Sequence, residues 1–214
     1  MKRNIFTLAV LFIASVALAQ SSAEARKMLD KAYAAYENAK GIEIAFTATA
    51  TEANGTAYQP QKGVAKVKGN KFTLDMPGMN TWFDGKTQWV LMEDLNEVNV
   101  SNPTGEEIAS ISPLALLNMY KTGYTLKAPV SKTVNGKNVH FINMAPVGNK
   151  SDFKDISVAL DKASNNIVQV NLTMKNGMKT KIDINKYNAN ANYADSEFIF
   201  NKSNHKGVEV IDLR

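Results

Sequence analysis

Few residues of this chain are of a type and spacing that could break or make bonds. It has two histidines. His140 alternates with Val139 and Phe141, which reads as a solvent-facing or satisfied core position on a strand. His205 lies in a polar run, Lys202-Ser203-Asn204-His205-Lys206. Neither is placed with a second histidine or a cysteine at ligand spacing. Asp152, Asp155 and Asp161 are candidate acid/base carboxylates. Their surroundings match strand edges and turns, where aspartate accepts local hydrogen bonds. Glu106-Glu107 suits the start of a helix, where negative charge meets the dipole. There is no Gly-x-Ser-x-Gly elbow, phosphate loop or dinucleotide fingerprint. With no cysteine in the chain, disulfides, thiolate metal sites and thiol nucleophiles are excluded. The expectation is a protein that is not an enzyme, without catalytic residues, metal ligands or cofactor.

Adaptable apolar surface takes the place of reactive groups. Of nine methionines, all but Met1 fall beyond the leader: Met28, Met76, Met79, Met92, Met119, Met144, Met174 and Met178. Methionine fills core gaps and also suits surfaces that accept ligands of variable shape. Trp82 and Trp89 are open to the same two readings. A sharper clue is Leu114, Leu116, Leu117, Met119 and Tyr120, a segment more apolar than a short surface helix requires. It either plugs the fold permanently or lids a hydrophobic hollow.

The elements that must position these residues can be read from periodicity. Ser21-Ser22-Ala23-Glu24 is a capping-box start. Apolar positions at Ala25, Met28, Leu29, Ala32, Tyr36 and Ala39 predict an amphipathic helix. Gly41 is placed for a left-handed cap. Thereafter the period is two, beginning with Ile42, Ile44, Phe46, Ala48 and Ala50. Turn pairs punctuate the remainder of the chain: Asn54-Gly55, Gly69-Asn70, Pro77-Gly78, Asp84-Gly85, Asn135-Gly136, Asn165-Asn166 and Asn176-Gly177. Between them the pattern predicts strands over 71–76, 86–92, 97–101, 137–144, 156–160, 167–174 and 179–187, then 197–200 and 208–213. Many strands joined by tight turns imply an antiparallel meander, closed or nearly closed into a barrel. Asn102-Pro103-Thr104-Gly105 and Ser112-Pro113 splice two short helices into its middle.

Residues 1–19 have the form of a secretory leader. Lys2 and Arg3 precede an apolar run from Ile5 to Ala14, and Ala17-Leu18-Ala19 supplies the small-x-small site, placing cleavage before Gln20. Residues 20–214 then form a single domain of roughly 195 residues, enough for a sizeable core. The formal charge is +5, lowered by removal of Lys2 and Arg3 and spread along the chain. No clustered basic stripe marks a nucleic-acid interface. The expected location is the periplasm.

At several places the residues resemble those of the LolA family of periplasmic outer-membrane lipoprotein carriers. Asp84-Gly85-Lys86-Thr87-Gln88-Trp89 is similar to its Asp-Gly-Lys-x-x-Trp hairpin. Asp94-Leu95-Asn96-Glu97-Val98-Asn99-Val100 is similar to its following strand, and Ser112-Pro113-Leu114 to Leu117 to the start of its inserted helix. Phe198-Ile199-Phe200 and Lys206-Gly207-Val208-Glu209-Val210-Ile211-Asp212 resemble its closing motif. The resemblance implies an incomplete antiparallel β-barrel of about eleven strands, with an N-terminal helix and inserted lid helices over an apolar cavity that receives lipoprotein acyl chains. It also implies an inner-membrane ATP-driven lipoprotein extractor and an outer-membrane acceptor as partners, and a carrier that acts as a monomer. The chain departs from the family in Pro77-Gly78-Met79-Asn80-Thr81-Trp82, where Thr81 stands in place of the arginine that latches the lid. The latch is absent or different.

The expected acyl-chain contacts are alternate residues of the early strands together with the inserted helix: Ile44, Phe46, Phe72, Leu74, Trp82, Trp89, Leu91, Val98, Leu114, Leu117 and Met119. Two rivals stand beside the carrier. A lipid- or lipoprotein-sensing module would bind without transfer, and a lipid or glycan hydrolase would need a nucleophile and base. Leu117→Glu is expected to abolish co-purification of lipid while leaving the β-rich circular dichroism intact. Unchanged lipid occupancy in a folded variant would remove the inserted helix from the binding site.

Overall fold

The computed structural model describes residues 22–104, 107–108, 119–149 and 151–214. The leader, Ser21, Leu114 and Leu117 lie outside these residues. A helix, α1, covers 22–37. Its buried positions are Ala25, Leu29, Ala32 and Tyr36, a single stripe at helical spacing. Gly41 is not the left-handed cap expected from its position, for its backbone φ is not positive. A Cβ there would lie 2.8 Å from the Tyr193 ring and 2.9 Å from the Ala191 carbonyl oxygen. Glycine is needed because another stretch of backbone passes against it.

Among the described residues thirteen strands come after the helix, all in one sheet. They are β1 (Ile42–Thr51), β2 (Gln61–Lys68), β3 (Lys71–Met76), β4 (Met79–Phe83), β5 (Gln88–Met92), β6 (Glu97–Ser101), β7 (Tyr124–Leu126), β8 (Val130–Val134), β9 (Lys137–Pro146), β10 (Phe153–Asp161), β11 (Ile167–Met174), β12 (Lys179–Asn188) and β13 (Glu209–Asp212). The order across the sheet is β13-β6-β5-β4-β3-β2-β1-β12-β11-β10-β9-β7, with β8 also on β9. The turn signals hold. Between β8 and β9, Asn135 (φ 49°) and Gly136 (φ 74°) are both left-handed, as a tight two-residue hairpin requires.

Of the closed and incomplete arrangements expected, the sheet takes the open one: its end strands β13 and β7 share no ladder. Two expectations need correction. The sheet is not wholly antiparallel, because β13 runs parallel to β6. Residues 197–200 are not a strand: Asp195–Phe198 is a short 3-10 turn. The Phe198-Ile199-Phe200 alternation is nonetheless real, with Phe198 buried and Ile199 46% exposed. Alternation reports which face is covered, and a covered segment need not pair into a ladder. β2, β4, β7 and β8 went unread because they are short, lysine-bearing or interrupted by Gly63.

The parallel placement of β13 requires a crossover. From β12, residues 189–208 form a strap across the outer face of β2 to β6 before entering the sheet at its far edge. Asn96 fixes the entry, donating its side-chain amide to the Gly207 carbonyl at 2.9 Å while its own carbonyl accepts from Glu209 N–H at 3.0 Å.

The main core lies on the inner face. There α1 shares one apolar cluster with Ile42, Ile44 and Phe46 of β1, Phe72 and Leu74 of β3, and Ile142, Met144, Ile156 and Val158 of β9 and β10. A bulge at Ala45/Phe46 of β1 adds local bend and twist to a strand near the middle of the sheet. Leu29 is fully buried in this cluster. Leu29→Ala should therefore cost about 2–5 kcal/mol in guanidinium unfolding, whereas the exposed Lys27→Ala should be close to neutral.

Candidate functional site

Strand register sorts the side chains of β1 to β6 into rows, and paired residues share a face. One inner row runs Ile42–Val67–Phe72–Phe83–Gln88–Ser101. The next runs Ile44–Ala65–Leu74–Thr81–Val90–Asn99. Beyond it lies Met76–Met79–Met92–Glu97. All three methionines are half-buried, and Met76 packs against the main core. Beside them Phe46 lies over Gly63, where a Cβ would come within 2.5 Å of the Phe46 ring. The inner face thus ends in a partly open apolar track of unbranched, polarizable side chains.

The expected acyl-chain residues divide between two faces. Ile44, Phe46, Phe72 and Leu74 lie together on the inner face, and the half-buried Met119 packs against them. Trp82, Trp89, Leu91 and Val98 lie on the opposite face, in a cluster with Phe200 and Val208 of the strap. Leu114 and Leu117 fall outside the described residues. Met76, Met79 and Met92, named among the adaptable methionines, were not among the expected contacts, and the signal that sets them in one row was present in the sequence. A two-residue Pro77-Gly78 loop sets Met76 opposite Met79, so β4 turns Met79, Thr81 and Phe83 toward the face of Leu74, and Trp82 away from it.

The inserted segment between β6 and β7 is held at both ends. Glu107 accepts the Thr104 N–H at 2.6 Å, and that bond lowers its carboxyl pKa; Ile108 packs against the main core. At the other end Tyr120 is fully buried, and its hydroxyl donates to the Asp30 carboxylate on α1. Arg26 stands over the Tyr120 ring at 5.8 Å, and Lys121 over Tyr33 at 3.4 Å. Burial, then the Asp30 hydrogen bond, pushes the Tyr120 phenol far above its ordinary range, so it remains a neutral donor.

On the outer face Trp82 meets Phe200 edge-on at 5.3 Å and His205 at 5.7 Å, and His205 stacks on Phe200 at 5.0 Å. A cleft of about 190 Å³ lies between Trp82, Thr73, Asp75 and the strap residue Glu197. Lys66 pairs with Glu197 at 3.3 Å, while Lys68 and Lys71 reach Asp195 at 2.8 and 2.7 Å.

Of the aspartates singled out in the sequence, Asp161 serves the backbone. Asp161 accepts the Ser164 and Ala163 N–H groups at 2.8 Å each, and these bonds lower its pKa. Partial burial raises that of Asp155. His140 is half-buried on β9 opposite Leu160. Among the described residues no three His, Asp or Glu side chains gather as metal ligands, and no helix is long and apolar enough to cross a membrane.

These features define a class: an open sheet that packs a helix against an apolar inner face. The family description "Outer membrane lipoprotein carrier protein LolA" matches residues 15–178, and the chain belongs to that family. No curated protein matches it. An uncharacterized conserved protein from Thermus thermophilus has the same fold at 10% identity and a TM-score of 0.59, over 88% of this chain and 99% of that one. A LolA superfamily protein from Nitrosomonas europaea gives 9% identity and a TM-score of 0.45, over 82% and 97% of the two chains. The Mycobacterium tuberculosis lipoprotein LppX gives 17% and 0.46, over 82% and 99%.

The hydrogen bonds from Lys68 and Lys71 lower the Asp195 carboxyl to about 2. A depressed folded-state pKa means that this tether stabilises the strap above the ordinary carboxylate pKa and is lost as pH falls toward 2. NMR titration of Asp195 should give a midpoint of about 2. In a Lys68→Ala/Lys71→Ala variant it should return to the ordinary aspartate value of about 3.9.

Proposed function

We propose that this chain, exported with residues 1–19 removed, is a periplasmic carrier. It takes lipoprotein acyl chains onto the inner face of its sheet and moves them from the inner to the outer membrane. The observation that carries this reading is the half-buried row Met76–Met79–Met92 beside Phe46, Phe72 and Leu74, an apolar track continuous with the core. Membership of the lipoprotein-carrier family supports it. Ile44, Phe46, Phe72, Leu74 and Met119 are the proposed contacts, together with Leu114 and Leu117 of the inserted segment. Trp82, Trp89, Leu91 and Val98 face the strap and hold it.

Such transfer exchanges one apolar host for another and needs no nucleotide, metal or bond chemistry on the carrier. Each buried methylene contributes about 0.8 kcal/mol, so retention does not require the arginine latch that Thr81 replaces. Energy enters through the proposed partners, an ATP-driven extractor at the inner membrane and an acceptor at the outer one.

Native mass spectrometry of protein purified gently from the periplasm should find acylated species bound, and bound lipoprotein should pass to acceptor membranes. Met79→Glu places a charge in the track and should cut occupancy at least about tenfold. Full occupancy in a folded Met79→Glu protein would remove the methionine row from the site. Binding without delivery would make the protein a lipoprotein-binding module.

A further inference from the structure

The inner rows change character along their length. Along two of them, apolar side chains on β1 to β3 give way toward β6 to polar ones. Ile44, Ala65 and Leu74 lead to Thr81 and, past Val90, to Asn99. Phe72 and Phe83 lead to Gln88 and Ser101. Thr81 is 1% exposed and Gln88 8%. Ser101 donates to the Gln88 side-chain oxygen at 3.4 Å, and among the described residues no buried side-chain nitrogen or oxygen lacks a hydrogen-bond partner. Buried polar groups cost stability unless they are hydrogen-bonded. A shelf of hydroxyls and carboxamides at the end of an apolar floor is suited to an amphiphile lying along the rows.

The charges specify which amphiphile. No lysine or arginine occupies an inward position of β2 to β6 among the described residues. The charged side chains on the adjoining inward row are the carboxylates Glu97 and Glu209, paired across β6 and β13. On these strands an anionic head would meet like charge and no cation, whereas a neutral ester, amide or glycerol group meets donors and acceptors.

Building on the carrier reading, we propose that Thr81, Gln88, Asn99 and Ser101 bind the uncharged hydrogen-bonding linkage of the cargo, orienting its tails over Leu74, Phe72 and Ile44. The site then selects neutral acyl-glycerol or acyl-amide groups over free fatty acids and anionic lipids.

Binding of a 1-monoacylglycerol and of the fatty acid of equal chain length, measured at pH 8 with the mature chain, tests this. The monoacylglycerol should bind about tenfold tighter, the equivalent of one to two good hydrogen bonds. Thr81→Val/Gln88→Leu should lose that preference while keeping its affinity for the fatty acid, and Thr81→Ser, which keeps the hydroxyl, should retain the preference. Equal affinities in the unmodified chain, or parallel loss of both ligands in the folded double variant, would overturn the shelf and leave the carrier reading standing. If the folded, unmodified chain binds neither ligand, the carrier reading itself falls. Where the shelf holds, a diacylated lipopeptide and a diacylglycerol with the same chains separate the two sources of such a linkage, the tighter binder identifying the cargo.

Discussion

Strand register across β3 to β6 governs what this molecule can present to a ligand. Side chains on a strand alternate between faces, and here both faces of the same four strands carry apolar groups. Leu74, Phe83 and the methionine row point inward, while Trp82, Trp89, Leu91 and Val98 point outward. A sheet that is apolar on both sides needs cover on both. Helix α1 supplies it inside and the strap outside. The openness of the sheet is a consequence of this arrangement, because its far edge is occupied by a strand delivered from β12 over the outer surface.

The strap is held chiefly by burial. Phe198 and Val208 are buried, and Phe200 packs on the tryptophans; each large apolar side chain removed from water contributes about 1.5–3 kcal/mol. The lysine pairs to Asp195 and Glu197 are solvent-exposed, and ion pairs of that kind add little to stability. Their contribution is to direction. They set where the strap crosses β2 and β3, and Gly41 gives it room to pass. The outer face is thereby committed to architecture, which leaves the inner face for the proposed binding.

The inner face joins a dry region under α1 to a half-buried methionine track and a polar shelf. Tyr120 fastens the inserted segment to α1 through Asp30, in a bond between a neutral phenol and a carboxylate. The family's arginine would have to emerge at position 81, and Thr81 instead lies buried between Leu74 and Val90 on the inner face. Among the described residues Tyr120 ties the end of the segment to the N-terminal helix, and position 81 belongs to the inner face.

Local physics made much of this legible in the sequence. The stripe Ala25–Leu29–Ala32–Tyr36, the Asn-Gly turns and the alternation in β1 and β11 each arise from side-chain periodicity or backbone sterics within a few residues, and the structure keeps them. The apolar, methionine-rich character of the chain was equally plain. Which face each residue joins was not, because parity passes from strand to strand through hairpin geometry, and with β4 unread the alternation within single strands did not show that Trp82, Trp89, Leu91 and Val98 share a face opposite to Leu74. Nor could periodicity tell that Phe198 and Phe200 alternate under a strap rather than within a ladder, that Gly41 yields to Tyr193, or that Met76, Met79 and Met92 form one row. Those facts depend on segments distant in the chain meeting in space, which only the folded sheet decides.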